Sequence, residues 1–274
     1  MLTATGPRAL LGTIAITACC LATGCGSPTA SVAAPAPVPT AAAGTPAPIA
    51  APAATADDDQ WHDAGTTVQG RPIRVRTIGH GPRKVLFIGG IHGDEAEGAY
   101  TTEQLPRAFL AAGLADAVSL TIMEDANPDG RAAGTRGNAN GVDINRNFPA
   151  KNFDTGNSVF GSEPLSQPES RAVYQTIEKL SPALVLVSHA WSGKRFINFD
   201  GPAREIAEQF SADSGLPVEA SNQFAPTPGS LGSYVGRDRG IPILTIEVLK
   251  GTDPITVWDQ LHTALLTAIG GRPS

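Results

Sequence analysis

Beyond Cys25 the chain has no cysteine: its three thiols, Cys19, Cys20 and Cys25, all lie near the start of 274 residues. A thiol-free remainder excludes disulfide staples, a cysteine nucleophile and a thiolate metal site. Positive charge is also scarce. Of 20 Lys and Arg only Arg8 precedes residue 57, whereas all 26 acidic residues follow it, so residues 57–274 carry 19 − 26 = −7. Phosphate binding needs a concentrated positive face. The pairs Arg83-Lys84 and Lys194-Arg195 are too short to make one, and nucleic acid is not an expected partner. A long apolar run is lacking too, because "ALLGTIAITACCLA" (Ala9 to Ala22) is short for a transmembrane helix. No internal repeat stands out.

What is present divides the chain in three. Residues 1–25 read as an export signal, with Arg8 in a short n-region, the apolar stretch behind it, and "TGCGS" placing Cys25 at a small-residue site. That site resembles a bacterial lipoprotein cleavage site, with Ala22 where Leu is usual. "ITAC" fits the pattern at Cys19 but leaves a very short h-region, and an ordinary secretory signal is the alternative. Residues 26–58 are rich in Ala and Pro and almost uncharged before Asp57, a composition that cannot bury enough surface to fold and reads as a tether. Residues 59–274 have the texture of one globular domain.

Within that domain "RPIRVRTIG" (Arg71 to Gly79) alternates like a half-buried strand, and "KVLFIGG" is a run suited to burial on both sheet faces. "AVSLTIME", "ALVLVSH" and "IPILTIEV" read as further strands. "AYTTEQLPRAFLAAG" reads as a helix that Pro106 should kink or restart. "SQPESRAVYQTIEKLS" reads as a helix capped by Ser166, and Asp125 to Lys151 as a long loop. "AREIAEQFSADSG" and "ITVWDQLHTALLTAIG" complete an alternation of strands and helices. The expected fold is α/β, three layers, with a mixed, mainly parallel central sheet. In such sheets ligands gather at the carboxyl ends of strands.

Four polar residues fall at such ends. His92 and Glu95 follow one strand in "GGIHGDEAEG", His189 ends another, and Glu247 lies near the end of a third. His-x-x-Glu alone is weak, and a lone His189 would pass for a buried, hydrogen-bonded histidine. Together, two imidazoles and a carboxylate are a common catalytic zinc set. Gly89, Gly90 and Gly93 would let the backbone turn tightly there. Asp94 has no evident task.

In order, "GGIHGDEAEG", "NPDG", "TRGNANGVDINRNFP", "SEPLSQPES", "VSHAW", "TPGSLGSYVGRDRGIP" and "TIEVL" resemble the carboxypeptidase A-type zinc metallopeptidases. Within that family the likeness is to the short bacterial branch that contains murein peptide amidases, and it spans roughly Gly70 to Gly251. The resemblance implies one Zn²⁺ per chain, held by His92, Glu95 and His189. It implies Glu247 as general base on the zinc-bound water and Arg136 as the cation that stabilises the oxyanion. Asn145 and Arg146 would grip the substrate's free carboxylate, and Asp143 would take the outer ring N–H of a ligand histidine, His92. Arg131 reads as a solvated loop arginine, and His62, His80 and His262 as surface or core histidines.

The family's catalytic-site tyrosine has no counterpart in "SNQFAPTPGS" (Ser221 to Ser230), and Tyr234 comes too late to take its role. The tether leaves no room for a folded propeptide, and the short Asp125–Lys151 stretch suggests an open cleft. The expected function is hydrolysis of an amide next to a free carboxylate outside the cytoplasm. The expected substrate is murein peptide, cut at the γ-D-Glu–meso-diaminopimelate bond, by a lipid-anchored or secreted monomer. Alternatives are a carboxypeptidase acting on ordinary L-peptides, an N-acyl amino acid deacylase, or a non-catalytic wall-binding lipoprotein.

Overall fold

Leu86 and Phe87 adjoin in sequence, yet both are buried, one in each of the two cores that flank a single sheet. The cause is the two-residue period of a strand, which sends successive side chains to opposite faces. A computed structural model of the chain describes residues 60–221 and 227–271. The export segment, the tether, Asp59, positions 222–226 and residues 272–274 lie outside the described residues.

The chain runs β1 (His62–Thr66), β2 (Pro72–Ile78), β3 (Arg83–Ile88), α1 (Ala99–Ala111), β4 (Val118–Met123), α2 (Pro128–Ala133), α3 (Pro168–Leu180) and β5 (Leu184–Trp191). It continues through β6 (Phe196–Asp200), α4 (Arg204–Ser214), β7 (Val218–Ala220), β8 (Ile243–Leu249) and α5 (Pro254–Gly270). The strands form one eight-stranded sheet in the order β1-β2-β4-β3-β5-β8-β6-β7. β4, β3, β5 and β8 are parallel, whereas β2 pairs antiparallel with β4, β1 with β2, and β6 with β8. One face packs on α1, α4 and α5 through Phe109, Phe210 and Leu265. The other packs on α3 and a wide helical turn, Gly232–Asp238, through Val173, Ile177 and Val235. This is the expected three-layer α/β architecture.

Several local expectations change. α1 runs unbroken through Pro106, which is buried and removes one backbone donor from the helix. Ser166 is not the cap of α3: Gln167 holds that position, and the Ser166 hydroxyl instead accepts a hydrogen bond from Asn147 Nδ2 at 2.9 Å. The Asp125–Lys151 stretch contains α2, whose Asn127 side chain accepts from Gly130 N, and a helical turn at Ile144–Arg146. β1, β6 and β7 have no strong sequence signature, being only five, five and three residues long; β1 and β7 are the sheet's edges, and β6 lies between β8 and β7.

The order in which strands are added reverses after β4, since β4 joins one side of β3 and β5 the other. Such a switch opens a crevice at the strands' carboxyl ends. Phe87, at the centre of the helix-covered core, sets the expected cost of disturbing this frame. Phe87→Ala should lower unfolding free energy by about 3–5 kcal/mol, read as a fall in urea midpoint at unchanged slope.

Candidate metal centre and active site

His92, Glu95 and His189 are only 2%, 7% and 4% exposed. They are therefore not the surface turn that a polar strand end would otherwise make. The turn after β3 is forced tight: Gly90 has φ +61°, and a side chain on Gly93 would collide with the Gly130 backbone of α2. Glu95 is aimed by Ala190 N, which donates to its Oε2 at 3.0 Å and ties the turn to the end of β5.

Donor atoms of the three residues all lie within 4.8 Å of one another. His92 Nδ1 is 2.8 Å from Glu95 Oε1 and 3.0 Å from His189 Nδ1, and His189 Nδ1 is 2.9 Å from Glu95 Oε2. The outer ring nitrogens are engaged elsewhere. His92 Nε2 meets Asp143 Oδ1 at 3.1 Å, and His189 Nε2 meets the Asn145 side-chain amide at 3.3 Å. Because a carboxylate only accepts, Asp143 places the proton of a neutral His92 on Nε2 and turns the Nδ1 lone pair inward. That lone pair then faces Glu95 and the other imidazole, a donor set that calls for a cation.

The electrostatics agree. Burial raises the Glu95 carboxyl, but His189 and His92 outweigh it and hold the group well below the usual carboxylate range. Burial likewise opposes charge on His92, yet hydrogen bonds and charges from Asp143 and Glu95 push its pKa up. Two imidazoles and a carboxylate with no thiolate suit Zn²⁺. Asp143 is itself fixed by Arg136, whose Nε donates to Oδ2 at 3.0 Å while Nη1 reaches Glu95 Oε1 at 3.1 Å.

Glu247 lies directly across the β5–β8 ladder from His189 and on the same sheet face. Burial raises its pKa, with opposing pull from His189 and further upward push from Glu95. Arg146 lines the same cleft as Arg136, Asn145, His189 and Glu247, and burial lowers its pKa against the pull of Asp143. A bound carboxylate would satisfy it. All eight candidate residues gather here, and seven line a cleft of about 280 Å³, with Asp143 behind His92. His62, His80 and His262 lie away from it, and Arg131 pairs with Asp125. Positions 222–226 lie outside the described residues, whereas Thr227, which follows them, lines the cleft.

The cleft also contains residues that sequence reasoning missed. Phe196, Asn198 and Asp200 alternate along β6, facing Glu247, Thr245 and Ile243 of β8 in register. The available signal was the i, i+2, i+4 spacing of "FINFD", hidden because the run is too short to stand out as a strand.

With this geometry, comparison with known proteins is informative. The sequence profile described as zinc carboxypeptidase matches residues 56–222. The chain belongs to the zinc carboxypeptidase family and is a zinc-dependent hydrolase of peptide or amide bonds. Murein peptide amidase A of Escherichia coli (strain K12) is 33% identical over 178 residues, 59% of this chain and 69% of that protein. The crystal structure of the murein-tripeptide amidase of Escherichia coli O157 superposes with a TM-score of 0.64 at 26% identity, covering 78% of this chain and 93% of that one. Gamma-D-glutamyl-L-diamino acid endopeptidase 1 of Lysinibacillus sphaericus is 25% identical, over 75% of this chain and 64% of that protein.

Two expectations follow. Asp143→Ala, by freeing the His92 tautomer, should weaken zinc binding about 10–100-fold, measured by competition with a chromogenic chelator. A carboxyl whose folded pKa is raised costs stability once ionised, above its unfolded value near 4. Metal-free Glu247→Gln should therefore melt at or above the wild-type temperature at pH 7 and match it at pH 3.5. A lower melting temperature at pH 7 would show that Glu247 is stabilised by a partner rather than desolvated.

Proposed function

We propose that the protein is exported, is anchored to the membrane through Cys25, and hydrolyses the amide between γ-D-glutamate and meso-diaminopimelate in murein peptides. The observation that carries the substrate class is Asp200. It is buried in the cleft wall, two rows of side chains below Glu247 on the same sheet face. Its Oδ1 accepts from Arg237 Nε at 2.7 Å and from Ser221 Oγ at 3.1 Å. Its Oδ2 faces Gly232, where a side chain would collide with it. A cleft with a guanidinium and an amide near the metal ligands and a carboxylate deeper down suits a residue bearing a free carboxylate and a distal ammonium. That description fits a diamino acid better than an ordinary apolar C-terminal residue. The names of the related amidases and endopeptidase lend support.

The division of labour follows from position. His92, Glu95 and His189 would hold the zinc, which when bound would supply Lewis acidity and lower the pKa of a water. Asn145 and Arg146 hold the carboxylate of the leaving residue, and Asp200 its ammonium. Glu247, across the ladder from His189, takes one proton from the attacking water and passes it to the amide nitrogen as the C–N bond breaks. Arg136 stands beside Glu95 to meet the negative charge that develops on the carbonyl oxygen. The export and anchor proposal rests on the residue 1–25 pattern, and the tether of residues 26–58 would let the domain reach wall peptides.

The test is a panel: L-Ala-γ-D-Glu-meso-diaminopimelate, its lysine analogue, a hippuryl dipeptide and an N-acyl amino acid. Zinc-loaded protein should cleave the first fastest, with products identified by mass. Asp200→Ala should cut its kcat/KM roughly 10–100-fold, and Glu247→Gln at least about 10³-fold. Cleavage of the hippuryl compound alone would replace the murein reading with the carboxypeptidase one.

A further inference from the structure

The Asp94 that separates the ligand pair has a partner far away in sequence. Lys250 Nζ, just past the end of β8, donates to Asp94 Oδ2 at 2.6 Å. Three residues along the same turn, Glu97 is 8% exposed, and its Oε1 accepts from Gly251 N at 2.6 Å. Glu97 Oε2 and Asp94 Oδ1 are buried without a hydrogen-bond partner. Leaving such oxygens unsatisfied is unfavourable, so stability alone is a poor reason for two acids here. These two contacts join the turn that carries His92 and Glu95 to the strand end that carries Glu247. The two segments are not neighbouring strands: β5 lies between β3 and β8. The direct tie between them is therefore made by side chains rather than by ladder hydrogen bonds.

We infer that Asp94 and Glu97 are positioning residues, clasping the ligand turn to Lys250 and Gly251 and so setting the distance between the metal ligands and the Glu247 carboxylate. The inference rests on the reading of Glu247 as general base and of His92, Glu95 and His189 as zinc ligands. An active centre needs its groups held to within about half an ångström. Glu95 is aimed from β5 through Ala190 N, and Glu247 is carried on β8. The clasp fixes the remaining freedom, a sliding of the turn over the end of β8. Lys250 and Asp94 are both partly exposed, so the pair contributes little to overall stability. A role in catalysis and a role in folding therefore separate cleanly.

Four variants of the full chain, zinc-loaded and assayed on the murein tripeptide, test this. Lys250→Met and Asp94→Asn should each lower kcat about 10-fold, with KM within twofold and melting temperature near wild type. The double variant should be no worse than either single one, since both remove one interaction. Lys250→Arg, which keeps the charge and the reach, should retain wild-type kcat. Chelator competition gives a readout independent of turnover: Asp94→Asn should bind zinc several-fold more weakly. Wild-type kcat and zinc affinity in both single variants would overturn the clasp, as would Lys250→Arg behaving like Lys250→Met. A raised KM at unchanged kcat would overturn it in favour of a substrate contact. Glu247→Gln in the same assay keeps the two readings apart. If that variant stays active the base assignment fails, whatever the Lys250 variants do.

Discussion

Two imidazole nitrogens held 3.0 Å apart, each within 2.9 Å of a buried carboxylate, form an arrangement that is unfavourable until positive charge occupies it. Most of what surrounds the site answers that condition. Asp143 turns the His92 lone pair inward, Asn145 engages the far nitrogen of His189, and Arg136 braces both acids. Each of these contacts costs conformational freedom, and together they keep the donor set assembled before a metal arrives. Preorganisation of this kind lets a divalent cation bind without the protein having to rearrange.

The sheet makes the assembly possible. His189 and Glu247 meet because β5 and β8 are parallel neighbours in register, and their side chains share a face because the strand period is two. His92 and Glu95 arrive from β3, on the other side of β5, around a turn whose Gly93 packs against α2 without room for a side chain. The chemistry thus draws on three adjacent parallel strands and on the loop regions between them. The loop after α2 and the Ile144–Arg146 turn bring in Arg136 and Arg146.

Much of this was legible in the amino-acid sequence, and the reason differs by element. Continuous apolar runs such as "KVLFIGG" and "ALVLVSH" declare strands buried on both faces, so the parallel centre of the sheet could be read directly. Polar residues at the ends of those runs marked the site, since a parallel α/β sheet has few other places to put them. The edge strands β1 and β7 and the inner strand β6 were hidden, because each is short and without a strong period. With β6 hidden, Asp200 was not singled out. The Ser166 cap was misread because local propensity cannot register a competing partner 19 residues away, here Asn147. Asp94 was opaque for the same reason on a larger scale, its partner lying 156 positions further along.

The pairing of β6 with β8 has a consequence for how this protein can change. Metal chemistry occupies the row of His189, Glu247 and Phe196, whereas Asp200 sits opposite Ile243, two rows lower on the same surface. On the proposed reading, one sheet face behaves like a ruled page, with the reaction written on one line and recognition on another. A substitution on the lower line alters which side chain is welcomed while the upper line keeps its ligands and its register. On that reading, the choice of leaving residue and the cutting of the amide fall to different rows of one surface.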